Sequence, residues 1–337
     1  MSKKHLGFVS LFFLLFTMGF VLIDLPVFKV PIGWPKPVYD FKKNNFSNEK
    51  ILLGRLLFYD PILSKDNTIS CASCHSPYNA FAHTDHALSH GIADSIGFRN
   101  APALINLAWQ KSFMWDGAIN DLDEQAVFPI THPKEMGEKL NHVIQKINQS
   151  EKYKNLIASA YGIDSINKQQ LLQSISQFIL SLVSANSKYD SVMQHKLSFT
   201  TQELKGYQLF KKNCSSCHTE PLFTNGNFKN NGLKPSAILI DYGRMRVTQN
   251  KKDSLFFKVP TLRNLSYTYP YMHDGRFTKL SEVLLHYTSN VDQNSNVSKE
   301  LKQPIILTPN EKVDLISFLL TLNDRSFAFN PNYSFIK

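Results

Sequence analysis

Cys71-Ala72-Ser73-Cys74-His75 and Cys214-Ser215-Ser216-Cys217-His218 use all four cysteines of this chain. Each pentad supplies two thiols that can add across the vinyl groups of a porphyrin. Each also supplies a histidine placed to ligate the iron, which is the chemistry of c-type haem attachment. A four-cysteine zinc site would also consume every cysteine, but the pairs lie far apart in the chain and each runs directly into histidine. A thioredoxin-like redox pair needs a βαβ context near the motif, and none is legible. A disulfide framework is unnecessary in a chain of 337 residues, which can bury its own core. Two covalently bound haem c groups are therefore expected, held by Cys71, Cys74 and His75 and by Cys214, Cys217 and His218.

Helical segments flank each pentad. Glu49 to Phe58 places Ile51, Leu52 and Leu56 on one face before Asp60-Pro61 ends it. Glu138 to Tyr161 carries one or two helices. Gln169 to Ser184 sets Leu171, Ile175, Phe178, Ile179 and Leu182 at helical spacing, as a core stripe does. Thr200-Thr201-Gln202-Glu203 is a capping box that opens a helix leading into Cys214, and Thr308-Pro309-Asn310-Glu311 opens a final helix. Residues 76–135 and 221–281 are rich in loop formers, and strand signals are sparse. The expected fold is mainly α, with two cytochrome c-like haem domains, residues 46–195 and 196–330, each with long wrapping loops.

Residues 1–24 carry Lys3, Lys4 and His5 followed by an apolar run from Leu6 to Ile23, the pattern of an export signal. Small residues for cleavage are missing at Asp24-Leu25-Pro26-Val27, and the run is near the lower limit for spanning a bilayer. Both a signal peptide and a membrane anchor stay open. Either outcome puts the haem domains in the periplasm, soluble or tethered to the inner membrane. Residues 25–45, with Pro31, Pro35 and Pro37, read as an extended linker. The net charge of +10 fits a solvated basic surface or a landing area for an acidic electron carrier. No dense basic run with interleaved aromatics is present, so nucleic acid is not an expected partner.

Between the pentads, acidic, amide and aromatic residues are interleaved, in Phe113-Met114-Trp115-Asp116-Gly117, Glu124-Gln125-Ala126 and the stretch Pro129 through Met136. A haem that only transfers electrons wants both axial positions filled. One that activates peroxide wants an open face with a proton-transfer group and a hydrogen-bond donor beside it. Glu135 and Gln125 are candidates for that pair.

Together with Gly54-Arg55-Leu56-Leu57-Phe58-Tyr59-Asp60-Pro61, Phe257-Lys258-Val259-Pro260-Thr261-Leu262-Arg263-Asn264 and Pro270-Tyr271-Met272-His273-Asp274-Gly275-Arg276-Phe277, these segments resemble the bacterial dihaem cytochrome c peroxidase and MauG family from about Leu53 to Leu322. The resemblance implies that His75 is the proximal ligand of a peroxidatic haem and Glu135 the acid–base carboxylate on its open face, with Gln125 and Pro129 lining the same pocket. It implies that Trp115 relays electrons between the haems and that His218 ligates an electron-transfer haem. It places a calcium ion at Asn100, Thr268 and Pro270, an oxygen-donor set suited to a hard cation. It also implies hydrogen peroxide as substrate and a small electron-donor protein, cytochrome c or cupredoxin, and it admits a homodimer.

Two axial positions stay open. His90 lies near the place of a displaceable distal histidine on the first haem, but its spacing to Arg99 departs from the peroxidase pattern; His83 and His86 are nearby. For the sixth ligand of the second haem, Met245, Met272, His273, His286 and Tyr287 are candidates by spacing. The resemblance places Tyr287, the MauG-type donor, where peroxidases have methionine, and Met272 is the alternative. The expected function is peroxide reduction. A MauG-like oxidase acting on a partner protein or small molecule, and an electron-transfer cytochrome without a substrate site, are the alternatives.

Overall fold

The computed structural model describes residues 28–236, 240–293 and 296–336. The expected signal or anchor segment, residues 1–24, lies outside them. Among the described residues no helix is long and apolar enough to cross a membrane.

The first half is built from α1 (Asn48–Tyr59), the single-turn pentad helix α2 (Cys71–Cys74), α3 (Leu122–Gln125), α4 (Val127–Thr131), α5 (Leu140–Gln149), α6 (Glu151–Tyr161) and α7 (Lys168–Ser181). The second half has α8 (Lys188–Met193), α9 (Thr201–Asn213), α10 (Met245–Thr248), α11 (Leu280–Leu285), α12 (Pro309–Leu320) and α13 (Arg325–Ala328). Two short antiparallel strands, β1 (Phe228–Lys229) and β2 (Phe257–Lys258), pair Phe228 with Lys258. The fold is mainly α, with two cytochrome c-type domains, as expected.

Local chemistry accounts for the helix limits. Ser47 caps α1 by accepting from the Lys50 amide, and Asp60 then accepts from Ile62 while Pro61 prevents continuation. Both expected capping boxes form: Thr200 with Glu203 at α9, and Thr308 with Glu311 at α12.

Each half is anchored by a close helix crossing at a glycine. A Cβ on Gly54 of α1 would lie 1.8 Å from the Ser174 carbonyl oxygen of α7. A Cβ on Gly206 of α9 would lie 1.9 Å from the Asp314 carbonyl oxygen of α12. Mid-helix glycine costs about 1 kcal/mol against alanine, and backbone contact at these crossings is what it makes possible. Around the first crossing pack Leu53, Leu57, Phe58, Phe81 and Phe178; around the second, Tyr189, Phe210, Phe223 and Phe318.

Two terminal segments pack against the first core. The expected linker is a docked strap from residue 28 onward. Phe28, Trp34, Tyr39 and Phe41 lie against the first core, the Pro35 carbonyl accepts from Trp109 Nε1 at 2.7 Å, and the Tyr39 hydroxyl donates to Asp123. At the other end, Phe327 of α13 joins the first core, and Arg55 binds the Pro331 and Ser334 carbonyls.

The two halves also repeat in sequence at a constant offset, a feature the helical periodicities do not reveal. Pro102 corresponds to Pro260, Asn106 to Asn264, and Phe113-Met114-Trp115-Asp116-Gly117 to Tyr271-Met272-His273-Asp274-Gly275. The structure honours the repeat. Asn106 and Asn264 both take the left-handed conformation (φ 57° and 63°), as do Met114 and Met272 (φ 66° and 75°). The seam between the halves is a pseudo-twofold pair: Asn100 N donates to the His273 carbonyl at 2.8 Å, and its counterpart Lys258 N donates to the Trp115 carbonyl at 2.7 Å.

Candidate haem and peroxide site

A single cavity of about 490 Å³ runs from one pentad to the other and crosses the seam. It is lined by Cys71, Cys74 and His75 at one end and Cys214, Cys217 and His218 at the other. Glu135, Gln125, Pro129, Trp115, His90, Asn100, Thr268, Pro270 and Tyr287 also line it. The long loops thus bring these residues to one internal space, whereas His83, His86, Met245 and His286, also candidates by sequence, are not among its lining residues.

Both pentad histidines are set up as ligands. His75 Nδ1 faces the Phe81 carbonyl at 2.8 Å, and His218 Nδ1 faces the carbonyls of Phe223 and Pro260 at 3.1 and 3.2 Å. With Nδ1 committed as donor, Nε2 keeps its lone pair for a metal. Burial holds both imidazoles down to about 4, so they are neutral at physiological pH. None of the four cysteines is in a disulfide, and burial pushes the Cys71 and Cys214 thiols up to about 12. Among the described residues, no three His, Cys, Asp or Glu side chains converge to hold a metal ion.

On the first half, the Glu135 carboxyl is pushed up to about 7 by burial. The loop carrying His90 folds over it: Ile92 N donates to the Glu135 carbonyl, and a Cβ on Gly91 would meet the Lys134 carbonyl oxygen at 2.1 Å. His90 itself pairs through Nδ1 with Asp94 at 2.5 Å and stacks on His86 at 4.6 Å between centroids. Gln125 Nε2 lies 3.7 Å from Met114 Sδ. Trp115 Nε1 donates to the Asn100 carbonyl at 2.8 Å, which fixes the indole at the seam.

In the second half, α11 runs into a π-helical turn, His286–Asn290, a distortion common at functional positions. The turn separates the roles of neighbouring residues. His286 Nε2 is engaged by the Asn231 carbonyl at 3.0 Å, whereas Tyr287 lines the cavity. Burial raises the Tyr287 phenol, and the Asn231 side chain hydrogen-bonds it. Met272 also lines the cavity, its sulfur taking a contact from Asn231 Nδ2 at 3.5 Å. His273 stacks on Phe257 at 3.7 Å. Met245 is not among the lining residues.

Comparison with known proteins agrees with this geometry. Residues 48–198 match the family model described as di-haem cytochrome c peroxidase, and residues 204–323 match that of cytochrome c. The methylamine utilization protein MauG of Methylophilus methylotrophus is 35% identical over 304 residues, covering 88% of each chain. The chain belongs to the di-haem cytochrome c peroxidase and MauG family. Cytochrome c551 peroxidase of Nitrosomonas europaea is 36% identical over 248 residues, covering 69% of this chain and 70% of that one. A crystal structure of a MauG-like protein associated with microbial copper homeostasis superposes with a TM-score of 0.82 at 29% identity, over 91% of this chain and 98% of that one.

Family membership implies two haem c groups and oxidoreductase chemistry, and the residues fit the haems. The paired thiols sit on helix α2 in the first half and in the hydrogen-bonded turn that follows α9 in the second, each pair followed by a neutral histidine with its Nε2 lone pair available. Sequence reasoning missed the repeat that equates Pro129 with Tyr287 and Ile105 with Arg263. The signal was present in the two Met-x-Asp-Gly runs.

Proposed function

We propose that this protein is an exported dihaem peroxidase, reducing hydrogen peroxide to water with electrons from a small carrier protein. The observation that carries the reading is Glu135, a buried carboxyl raised to about 7 in the cavity it shares with His75. A histidine-ligated haem with an open face supplies peroxide binding and cleavage of the O–O bond. The chain supplies proton handling. As carboxylate, Glu135 takes the proton from one peroxide oxygen and returns it to the departing one, so that oxygen leaves as water. Gln125 offers an amide donor on the same wall. The commitment of His90 to Asp94 and His86 supports a face that is open at rest. Trp115, held at the seam by Asn100, is the relay between the halves.

Calcium belongs to the same proposal. Asn100 Nδ2 is used on the Ala87 carbonyl at 3.1 Å, leaving Oδ1 to join the Thr268 and Pro270 carbonyls as oxygen donors.

One observation favours a second reading, a MauG-like oxidase. Tyr287 lines the second half of the cavity together with Met272, and a phenolate ligand would favour ferric over ferrous iron. Peroxide-dependent oxidation of reduced cytochrome c distinguishes the two. The peroxidase reading predicts steady turnover that Glu135→Gln slows by roughly a hundredfold or more. Full haem loading with no cytochrome oxidation would favour the second reading, and unchanged turnover in the variant would remove Glu135 from its role.

A further inference from the structure

The internal repeat supplies a control within one molecule. The loop that follows each repeat proline lies beside a proximal histidine, since His218 Nδ1 faces the Pro260 carbonyl and Pro102 is the counterpart of Pro260. Three residues beyond each proline the halves diverge. The first has Ile105, fully buried and apolar; the second has Arg263, also fully buried but cationic. A cation in that position needs partners, and it has them. Its Nη1 and Nη2 form a bidentate pair with Asp190 of α8 at 2.9 and 2.7 Å. Its Nε donates to the Pro221 carbonyl at 2.8 Å. The guanidinium faces the Trp34 ring of the strap at 4.7 Å and the Phe223 ring at 5.6 Å.

These contacts converge on the turn that holds His218. Thr261 Oγ1 donates to the Leu222 carbonyl at 2.7 Å and accepts from Arg263 N at 3.2 Å. Leu262 N reaches the Phe223 carbonyl at 3.3 Å. Arg263 therefore staples residues 221–223 to residues 260–263, the two segments whose carbonyls accept from His218 Nδ1.

We propose that Arg263, with Asp190 and Trp34, positions both carbonyl acceptors of the proximal histidine and so keeps the second haem at a lower reduction potential than it would otherwise have. The physical link is ligand basicity. Donation from Nδ1 to well-placed carbonyls makes Nε2 a stronger donor, which favours ferric iron. The Arg263–Asp190 pair carries no net charge, so its influence runs through geometry rather than through a cationic field. In the first half His75 likewise faces the Phe81 and Pro102 backbone, but Ile105 stands in the equivalent place and, among the described residues, no ion pair staples those segments together. This inference rests on His218 being the proximal ligand of the second haem.

The test uses the haem-loaded full chain. Pyridine-haemochrome analysis of the unmodified protein checks the cofactor reading separately, through two haems per chain. Spectroelectrochemical titration then follows both haems in Arg263→Met/Asp190→Asn, which replaces the pair without leaving a lone buried charge. Trp34→Ala is titrated alongside it, loosening the staple from the strap side. The expected result is an upward shift of the second haem's potential, smaller in Trp34→Ala, with the first haem unchanged. A downward shift would show that the cationic field dominates and overturns the proposal. So would no shift, or equal shifts of both haems as general loosening produces. If the pair variant fails to fold, Trp34→Ala decides by the same criteria.

Discussion

Glu135 gives the proposed peroxide reaction a distinctive pH dependence. The carboxyl lies at about 7, raised from 4.5 by burial alone. The step assigned to it starts from the carboxylate, so activity follows the ionised fraction. That fraction is one half at pH 7 and falls to roughly a tenth at pH 6, so the second-order rate with peroxide should drop about fivefold across that unit. An ordinary carboxyl would be almost fully ionised at both values and would give a flat profile. Stopped-flow mixing of ferric protein with peroxide, from pH 5 to 8.5, measures the dependence directly. Glu135→Gln should lower the rate and abolish the inflection. A profile flat between pH 6 and 7, or an inflection that survives in the variant, would refute the reasoning.

The helix crossings and the seam give further expectations. Gly206→Ala puts a methyl 1.9 Å from a backbone oxygen; overpacking of about 1–3 kcal/mol outweighs a propensity gain of about 1 kcal/mol. Because α9 leads into Cys214, thermal stability should fall by a few degrees and the second haem's spectrum should broaden before the first's. Gly54→Ala should lower stability in the same way but broaden the first haem's spectrum before the second's. An unchanged melting temperature would refute the close crossing. Extensively dialysed protein should retain about one calcium by elemental analysis and lose thermal stability on chelation. Asn100→Ala should abolish that response, and its persistence would place the ion elsewhere.

What was legible in the sequence was local. The pentads, the capping boxes at Thr200 and Thr308, and the stop at Asp60-Pro61 each depend on residues a few positions apart, and the structure contains them. The core stripe of α7 was legible because burial on one helical face imposes its own period. The strap was not. Its prolines suggest extended backbone, whereas the chain turns at Pro31–Trp34 and Asp40–Lys43, and its docking depends on Trp109, Asp123 and Arg263, distant partners that no local pattern encodes. Gly54 and Gly206 sat unremarked in good helical patterns because their reason lies across a crossing. Glu135 and Trp115 come from irregular segments and Tyr287 from the π-helical turn after α11, so no period encodes their convergence on one cavity, and only the family resemblance pointed to it.

The two haems are expected to be unequal, with an open, peroxide-reactive iron on His75 and a fully ligated one on His218. Electron paramagnetic resonance of the resting, fully ferric protein, before and after one equivalent of peroxide, tests it most directly. The account predicts one high-spin and one low-spin ferric signal at rest, with the high-spin signal lost on mixing. Two low-spin signals at rest, with no reaction until one haem is reduced, would contradict it.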